Sequence, residues 1–232
     1  MKYALLSDIH GNDIALAAVL KKIKNQNIDK LLIAGDFVGY FYKPSEVLKL
    51  LKGFDILAVK GNHEIMYEKA CVNNNYLQKV TNKYGFGIKY AIKEIKKQDK
   101  SWLKKLNKTK LFKDKDLKIM ICHGSPWSHN KYIYPDVKKI ELRKFLKYSA
   151  DIFILGHTHY SLVKKISNKI IINPGSVGQS REKRGFAQWA VLDTKKNKLK
   201  FYKVKYNISK TIASIDKNDP CKNNLMKSLH HG

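Results

Sequence analysis

Lys2-Tyr3-Ala4-Leu5-Leu6-Ser7-Asp8-Ile9-His10-Gly11-Asn12 opens the chain, and its reading decides the fold. The apolar run Tyr3–Leu6 reads as a buried strand that ends at once in Asp8, His10 and a glycine. The same grammar recurs downstream. Leu31–Ala34 runs into Gly35-Asp36, Ile56–Val59 into Gly61-Asn62-His63, Ile119–Cys122 into His123-Gly124, and Ile152–Leu155 into Gly156-His157-Thr158-His159. In α/β sheets ligands collect beyond the carboxyl ends of strands, so these residues are expected to meet at one sheet edge. Residues i and i+2 of an extended segment face the same side, which lets Asp8 with His10, and His157 with His159, address a shared centre. The adjoining glycines permit tight turns where each strand stops. Nitrogen and oxygen donors suit Mn, Fe, Zn, Co or Ni better than Ca. Cys122 points away from His123 on a strand and reads as a buried apolar residue.

Between these points the pattern alternates. Residues 14, 16, 19, 20 and 23 are apolar at helical spacing, with Asn12 placed as N-cap. Strand 30–34, helix 44–51 and strand 55–59 complete a βαβαβ order, an α/β signature. Residues 64–107 read as helical, interrupted at Gly85–Gly87, with 89–97 and 101–106 the clearest segments. Strands follow at 110–113, 117–122 and 152–155, with a helix over 137–148. Four more run at 160–166, 169–172, 186–192 and 199–204, joined by polar turns. We expect one domain over 1–206 and a polar, loosely ordered tail over 207–232.

Composition narrows the class. The net charge is +27, yet all but three of the 46 basic residues are lysine, spread along the whole chain. That scatter favours a compositional bias over a selected polyanion surface, although such a field keeps nucleic acid among the possible partners. No apolar run approaches the roughly 18–20 residues needed to span a bilayer, so no membrane association is expected. The first residues lack the form of a signal peptide. Three widely spaced cysteines fit free thiols and a cytoplasmic location. No motif speaks to oligomeric state.

The ordered set Asp8-Ile9-His10, Gly35-Asp36, Gly61-Asn62-His63-Glu64, His123-Gly124 and Gly156-His157-Thr158-His159 resembles the calcineurin-like metallophosphoesterases. Asn173-Pro174-Gly175-Ser176-Val177-Gly178-Gln179 is similar to their small bacterial and archaeal phosphodiesterase branch. The resemblance implies a two-sheet β-sandwich flanked by helices and two divalent metal ions per chain, manganese first, with Fe, Ni, Zn or Co as alternatives. It assigns Asp8, His10 and His159 to the first ion, and Asn62, His123 and His157 to the second. Asp36 would bridge the two, and His63 would serve the leaving oxygen as the catalytic residue. The implied reaction is hydrolysis of phosphodiesters, and of monoesters too, by in-line attack of a metal-bridging hydroxide. Glu64 reads equally as a support for the ligands or as a helix-starting acid.

Substrate contacts are expected from Tyr40 and, less so than its capping role, Asn12. Phe41, Tyr42, Trp127, Tyr132 and Tyr134 offer loop aromatics that either pack under loops or form a stacking wall. Relatives with a Gly-Tyr segment often continue Gly-Pro; here Phe41 and Tyr42 intervene before Lys43-Pro44. The expected partner is a small phosphate ester or nucleotide. A nuclease or nucleotide phosphohydrolase is the alternative enzyme, and a noncatalytic scaffold the alternative class. Protein phosphatases and dinucleotide tetraphosphatases carry an Asp-Arg-Gly extension that Phe37-Val38-Gly39-Tyr40 replaces here. His129 reads as a loop residue, and His230 and His231 as parts of the tail.

Overall fold

The computed structural model describes residues 1–229. Its strands are β1 (Lys2–Leu6), β2 (Lys30–Ile33), β3 (Ile56–Ala58), β4 (Thr109–Asp114), β5 (Leu117–Cys122), β6 (Ile152–Ile154), β7 (Ser161–Ile166), β8 (Lys169–Pro174), β9 (Phe186–Asp193) and β10 (Lys198–Lys205). They form two mixed five-stranded sheets, ordered β10-β9-β1-β2-β3 and β4-β5-β6-β8-β7. The parallel trios β1-β2-β3 and β5-β6-β8 carry the site, and antiparallel strands close the edges. This is the α/β sandwich that the family resemblance implies.

Alternation along β1 explains the layering. Tyr3 and Leu5 point between the sheets, where they meet Leu32, Ile119, Ile121, Ile154 and Ile172. Ala4 and Leu6 point outward, against α1 (Asp13–Ile23) and α2 (Pro44–Leu51). Both faces are therefore covered, which is why these strands read as continuous apolar runs rather than alternating ones. Four further helices, α3 (Asn62–Ala70), α4 (Asn74–Tyr84), α5 (Gly87–Glu94) and α6 (Lys97–Lys105), extend the outer layer of the first sheet. Cys122, Phe153 and Ile171 pack with Phe145 on the outer face of the second sheet.

Three expectations change. The helix over 89–97 breaks at Ile95-Lys96, where extended backbone separates α5 from α6. The helix over 137–148 reduces to α7 (Lys139–Leu142) and a 3₁₀ turn, Arg143–Lys147. Only Leu142 and Phe145 are pulled into the core there, while Ile140 and Leu146 stay exposed. The supposed loose tail instead forms α8 (Ile208–Ala213) and α9 (Lys222–Leu229). Ile215, Leu225 and Leu229 bury themselves against Phe41 and Tyr42. Asp219 fastens this segment by accepting from Tyr42 Oη at 2.7 Å and from Phe86 N at 2.6 Å. His230 and His231 lie outside the described residues.

Candidate metal centre

The turns after β1, β2 and β6 place side chains by bending backbone into conformations that most residues avoid. Asp8, His10, Asp36, His157 and His159, five of the seven predicted ligands, all have φ between 53° and 70°. Such left-handed backbone costs on the order of 1 kcal/mol or more per residue and persists only where its surroundings over-determine it. Here the turns hold one another. Ile9 N and His10 N donate to Asp36 O at 2.8 and 2.9 Å, Gly178 N to Asp8 O at 2.9 Å, and Gly156 N to His123 O at 2.8 Å. His157 N donates to the Asp8 carboxylate at 3.0 Å.

These bonds converge the donors at one edge. His10 Nε2 and His159 Nε2 stand 3.1 Å apart, and Asp8 Oδ1 lies 3.9 and 3.5 Å from them. Beside that trio, His123 Nε2 is 3.1 Å from His157 Nδ1 and 2.8 Å from Asn62 Oδ1. Asp36 Oδ2 sits between the trios, 3.7 Å from His10 Nε2 and 3.2 Å from His123 Nε2. Its other oxygen accepts from His63 N at 2.8 Å.

The far nitrogens settle what the near ones present. Val38 O lies 3.2 Å from His10 Nδ1, Ala34 O 2.7 Å from His123 Nδ1, and Gln179 O 2.7 Å from His159 Nδ1. A carbonyl only accepts, so each Nδ1 carries a proton and, in a neutral ring, each Nε2 turns a lone pair inward. Lone pairs facing at 3.1 Å repel unless a proton or a cation lies between them. Donors around an ion at roughly 2.1 Å sit about 3.0–3.4 Å from one another; the His10–His159, His123–His157 and Asp36–His123 separations of 3.1, 3.1 and 3.2 Å fall in that range. Asp8, His10 and His159, and Asp36, His123 and His157, thus form two groups able to hold an ion.

Charge confirms the competition. Burial pushes Asp8 up to about 7; His123 opposes that rise and Asp36 adds to it. Burial also works against Asp36, but the charges of His123 and His63 outweigh it and hold its carboxyl well below the usual carboxylate range. In return Asp36 overcomes the burial of His123 and raises it to about 9. Burial and neighbouring imidazoles keep His10 well below its ordinary value, and burial with Arg181 does so for His159. Asp36 and His123, 3.2 Å apart, thus favour each other's ionised forms, and a cation bound there would compete with the proton on His123.

His63 is buried beside the trios, its Nδ1 without a hydrogen-bond partner. Its ring meets His10 at 4.6 Å and Tyr40 at 4.9 Å. With His10 and Asp36 it forms a third group within ligand distance, so geometry alone leaves it either beside or on an ion. Gly39, at φ 91°, makes room for it, since a Cβ there would overlap His63 Nδ1. Tyr40 lies at the site, 4.6 Å from the His10 ring. Asn12 does not serve as a substrate contact: its Oδ1 caps α1 through Ala15 N at 3.0 Å, and its Nδ2 donates to Gly178 O at 2.9 Å.

Glu64 supports the ligands. Oε2 accepts from Asp36 N at 2.8 Å and Gly61 N at 2.7 Å, while Oε1 accepts from Phe37 N at 2.8 Å and Val38 N at 3.2 Å. Among the loop aromatics, Phe41 and Tyr42 are core and Trp127 packs on Phe145. Tyr132 instead stacks on His157 at 4.0 Å and on Tyr134 at 5.5 Å, forming a wall. Tyr84, 5.4 Å from His63, and Arg181 had no role in the sequence reading. The rarity of arginine was the available signal for the latter.

Comparison with known proteins agrees with this geometry. The model of the calcineurin-like phosphoesterase superfamily domain matches residues 1–197. Uncharacterized protein MJ0912 of Methanocaldococcus jannaschii is 33% identical over 236 residues, covering 93% of this chain and 92% of that protein. Phosphodiesterase MJ0936 of the same organism is 24% identical over 183 residues, 75% of this chain and 83% of its own. The crystal structure of a metallophosphoesterase from Sphaerobacter thermophilus superposes with a TM-score of 0.79 at 24% identity, covering 99% of both chains. A family-wide match over most of the length, on a sandwich whose strand ends gather the expected donors, places this chain in the calcineurin-like phosphoesterase superfamily.

Proposed function

We propose that the chain hydrolyses phosphate esters, diesters foremost, with two divalent cations held at this edge. The observation that carries the reading is the convergence of buried ring nitrogens with the carboxylates of Asp8 and Asp36 at one edge, within ligand distance of one another. Asp8, His10 and His159 would hold one ion, and Asn62, His123 and His157 the other. Asp36 Oδ2, facing both trios, would be shared. The donor set, nitrogen and oxygen without thiolate, suits Mn, Fe, Ni, Zn or Co, with manganese tried first on the family resemblance. Bound there, such ions supply an acidified water and a clamp on the phosphoryl oxygens.

The protein's own residues do the rest. Two carboxylates among neutral imidazoles leave two dications under-neutralised, so the edge attracts an anionic ester. The backbone bonds to Asp36 and Glu64 fix the ligands before substrate arrives, which lowers reorganisation during reaction. His63, buried and flanked by Tyr40 and His10, would donate to the departing oxygen.

A nucleotide or single-stranded nucleic acid as substrate is the second reading. Tyr132 and Tyr134, stacked in series on His157 and 45% and 37% exposed, offer an aromatic wall against which a base can pack. Among the described residues no helix is long and apolar enough to cross a membrane. The test is metal-free protein titrated with Mn²⁺, Ni²⁺, Co²⁺ or Zn²⁺ and assayed on an aryl monoester, an aryl diester and single-stranded DNA. Turnover that needs metal and favours the diester supports the proposal; absence of turnover with every metal would point to a noncatalytic scaffold.

A further inference from the structure

Next to the metal centre lies a cavity of about 260 Å³ that no ligand role yet explains. Its floor is Gln179, whose carbonyl holds His159 Nδ1 and whose side-chain amide donates to Ser228 Oγ at 3.1 Å. One wall is the loop after Gln179, which contributes Arg181 and Arg184; the opposite wall is α9, which contributes Lys227 and Asn224. Arg181 N also donates to His159 O at 3.2 Å, so this loop is anchored on a predicted ligand.

The charges here are uncompensated. Two of the chain's three arginines meet one lysine, and no carboxylate lines the cavity. Glu182, the acid on the same loop, is turned to Lys203 at 3.0 Å and to Gln188 at 2.8 Å. Among the described residues neither guanidinium has a carboxylate within salt-bridge distance. A chain with 43 lysines has no need of arginine for net charge alone. Arginine is the residue whose planar fork matches phosphate. Pockets for whole drug-sized ligands span about 300–1,000 Å³, so this one suits a single anionic group of a larger molecule. Its α9 wall lies beyond residue 197, outside the domain shared across the superfamily.

We propose that this cavity is an anion subsite that takes a second phosphate of the substrate, so that the substrate is a phosphate ester bearing a further phosphate group. The inference rests on the hydrolytic reading above. It assigns Arg181, Arg184 and Lys227 to binding and specificity, with no part in the bond cleavage.

Hydrolysis of bis(4-nitrophenyl) phosphate by the Mn²⁺-loaded enzyme tests it, with adenosine 5′-monophosphate and adenosine 3′,5′-bisphosphate as competitive inhibitors. One added charge-assisted contact predicts about tenfold tighter inhibition by the bisphosphate. R184A and K227A should each remove most of that advantage, with R184K restoring part of it. K195A/K196A removes two charges from the β9–β10 turn, at the opposite end of β1. It should leave the ratio unchanged. A bisphosphate no better than the monophosphate, or an advantage lost equally in K195A/K196A, overturns the subsite in favour of the general field. Titration calorimetry of both nucleotides on wild type and R184A reads the same ratio without turnover. An inactive enzyme that keeps an Arg184-dependent preference would sink the hydrolytic reading and spare the anion site; an inactive enzyme with no preference would sink both.

Discussion

Replacing Glu64 with glutamine changes one oxygen to an amide group and leaves the shape intact. Its consequence follows from the four N–H groups that converge on the carboxylate, two on each oxygen. A glutamine oxygen keeps one pair. Its NH₂ turns two donors toward the other pair, so two bonds are lost and two buried N–H groups are left facing a donor. Hydrogen bonds to a charged acceptor contribute about 1.5–3 kcal/mol each, so E64Q should destabilise by about 3–6 kcal/mol. That is a large share of the roughly 5–15 kcal/mol of a whole domain. For a urea slope of about 2 kcal/mol/M the midpoint falls by about 1.5–3 M. Burial, followed by the Asp36 charge, pushes Glu64 up to about 7 against the pull of Gly61 and Asp36 N–H, so unfolding is followed at pH 8, where the carboxylate is ionised. Metal content by mass spectrometry should fall in parallel, because either pair lost loosens a turn that carries a predicted ligand: Gly61 precedes Asn62, and Phe37 follows Asp36. A midpoint within about 0.5 M of wild type, with unchanged metal, would refute the reasoning and mean that Glu64 is held as the neutral acid.

Other substitutions separate the roles at the centre. H63A should retain two ions per chain and lose most diesterase activity; a fall to one ion would instead make His63 a ligand, as its distance to His10 and Asp36 permits. D36N weakens the oxygen that faces both trios, so metal content should fall well below two per chain, and a count near two counts against sharing. Glu182 provides the pH test. Burial opposes its ionisation, but bonds from Ser161, Gln188 and Lys203 outweigh that and lower it from 4.5 to about 2. A depressed carboxylate contributes stability that is present above pH 4.5 and lost as pH falls toward 2. The wild-type advantage over E182Q should therefore shrink between pH 5 and pH 2, modestly because the side chain is one-third exposed. An advantage constant across that window would remove Glu182 from the linkage.

What could be read from the residues alone follows from how locally each feature is determined. β1, β2, β5 and β6 are buried on both faces, so their apolar runs and polar ends stand out without knowledge of any partner. The ligands were legible because strand ends and glycines mark them in the chain itself. The two C-terminal helices were not. Ile208, Ile212, Ile215, Leu225 and Leu229 are spaced among polar residues, and what buries them is Phe41 and Tyr42, more than 160 positions earlier. The segment 137–148 shows the reverse error: its apolar spacing suggests one helix, but the second sheet buries Leu142 and Phe145 alone, with Val137 and Tyr148 packed at the margin and Ile140 and Leu146 left exposed. Glu64 was ambiguous for the same reason, since its acceptor role depends on a loop 26–28 residues away.

The site and the lysine-rich surface bear on each other through stability. Left-handed backbone at five predicted ligands, opposed lone pairs and two buried carboxylates all raise the free energy of the folded chain at one edge. None of these costs is local to the unfolded chain. The rest of the molecule must hold them: apolar layers on both faces of each sheet, the Glu64 network, and α8 with α9 clamped over residues 41–42. A cation bound there would relieve the electrostatic part of the penalty, by neutralising the carboxylates, so its binding would add directly to folding stability. The net charge works the other way, since a dication approaching a +27 protein is repelled at long range. Under the proposed function, capture of the metals would depend on the short-range donor set, while the same field would draw in an anionic ester once they are bound. That division makes metal loading the step slowed by low ionic strength, and substrate encounter the step accelerated by it.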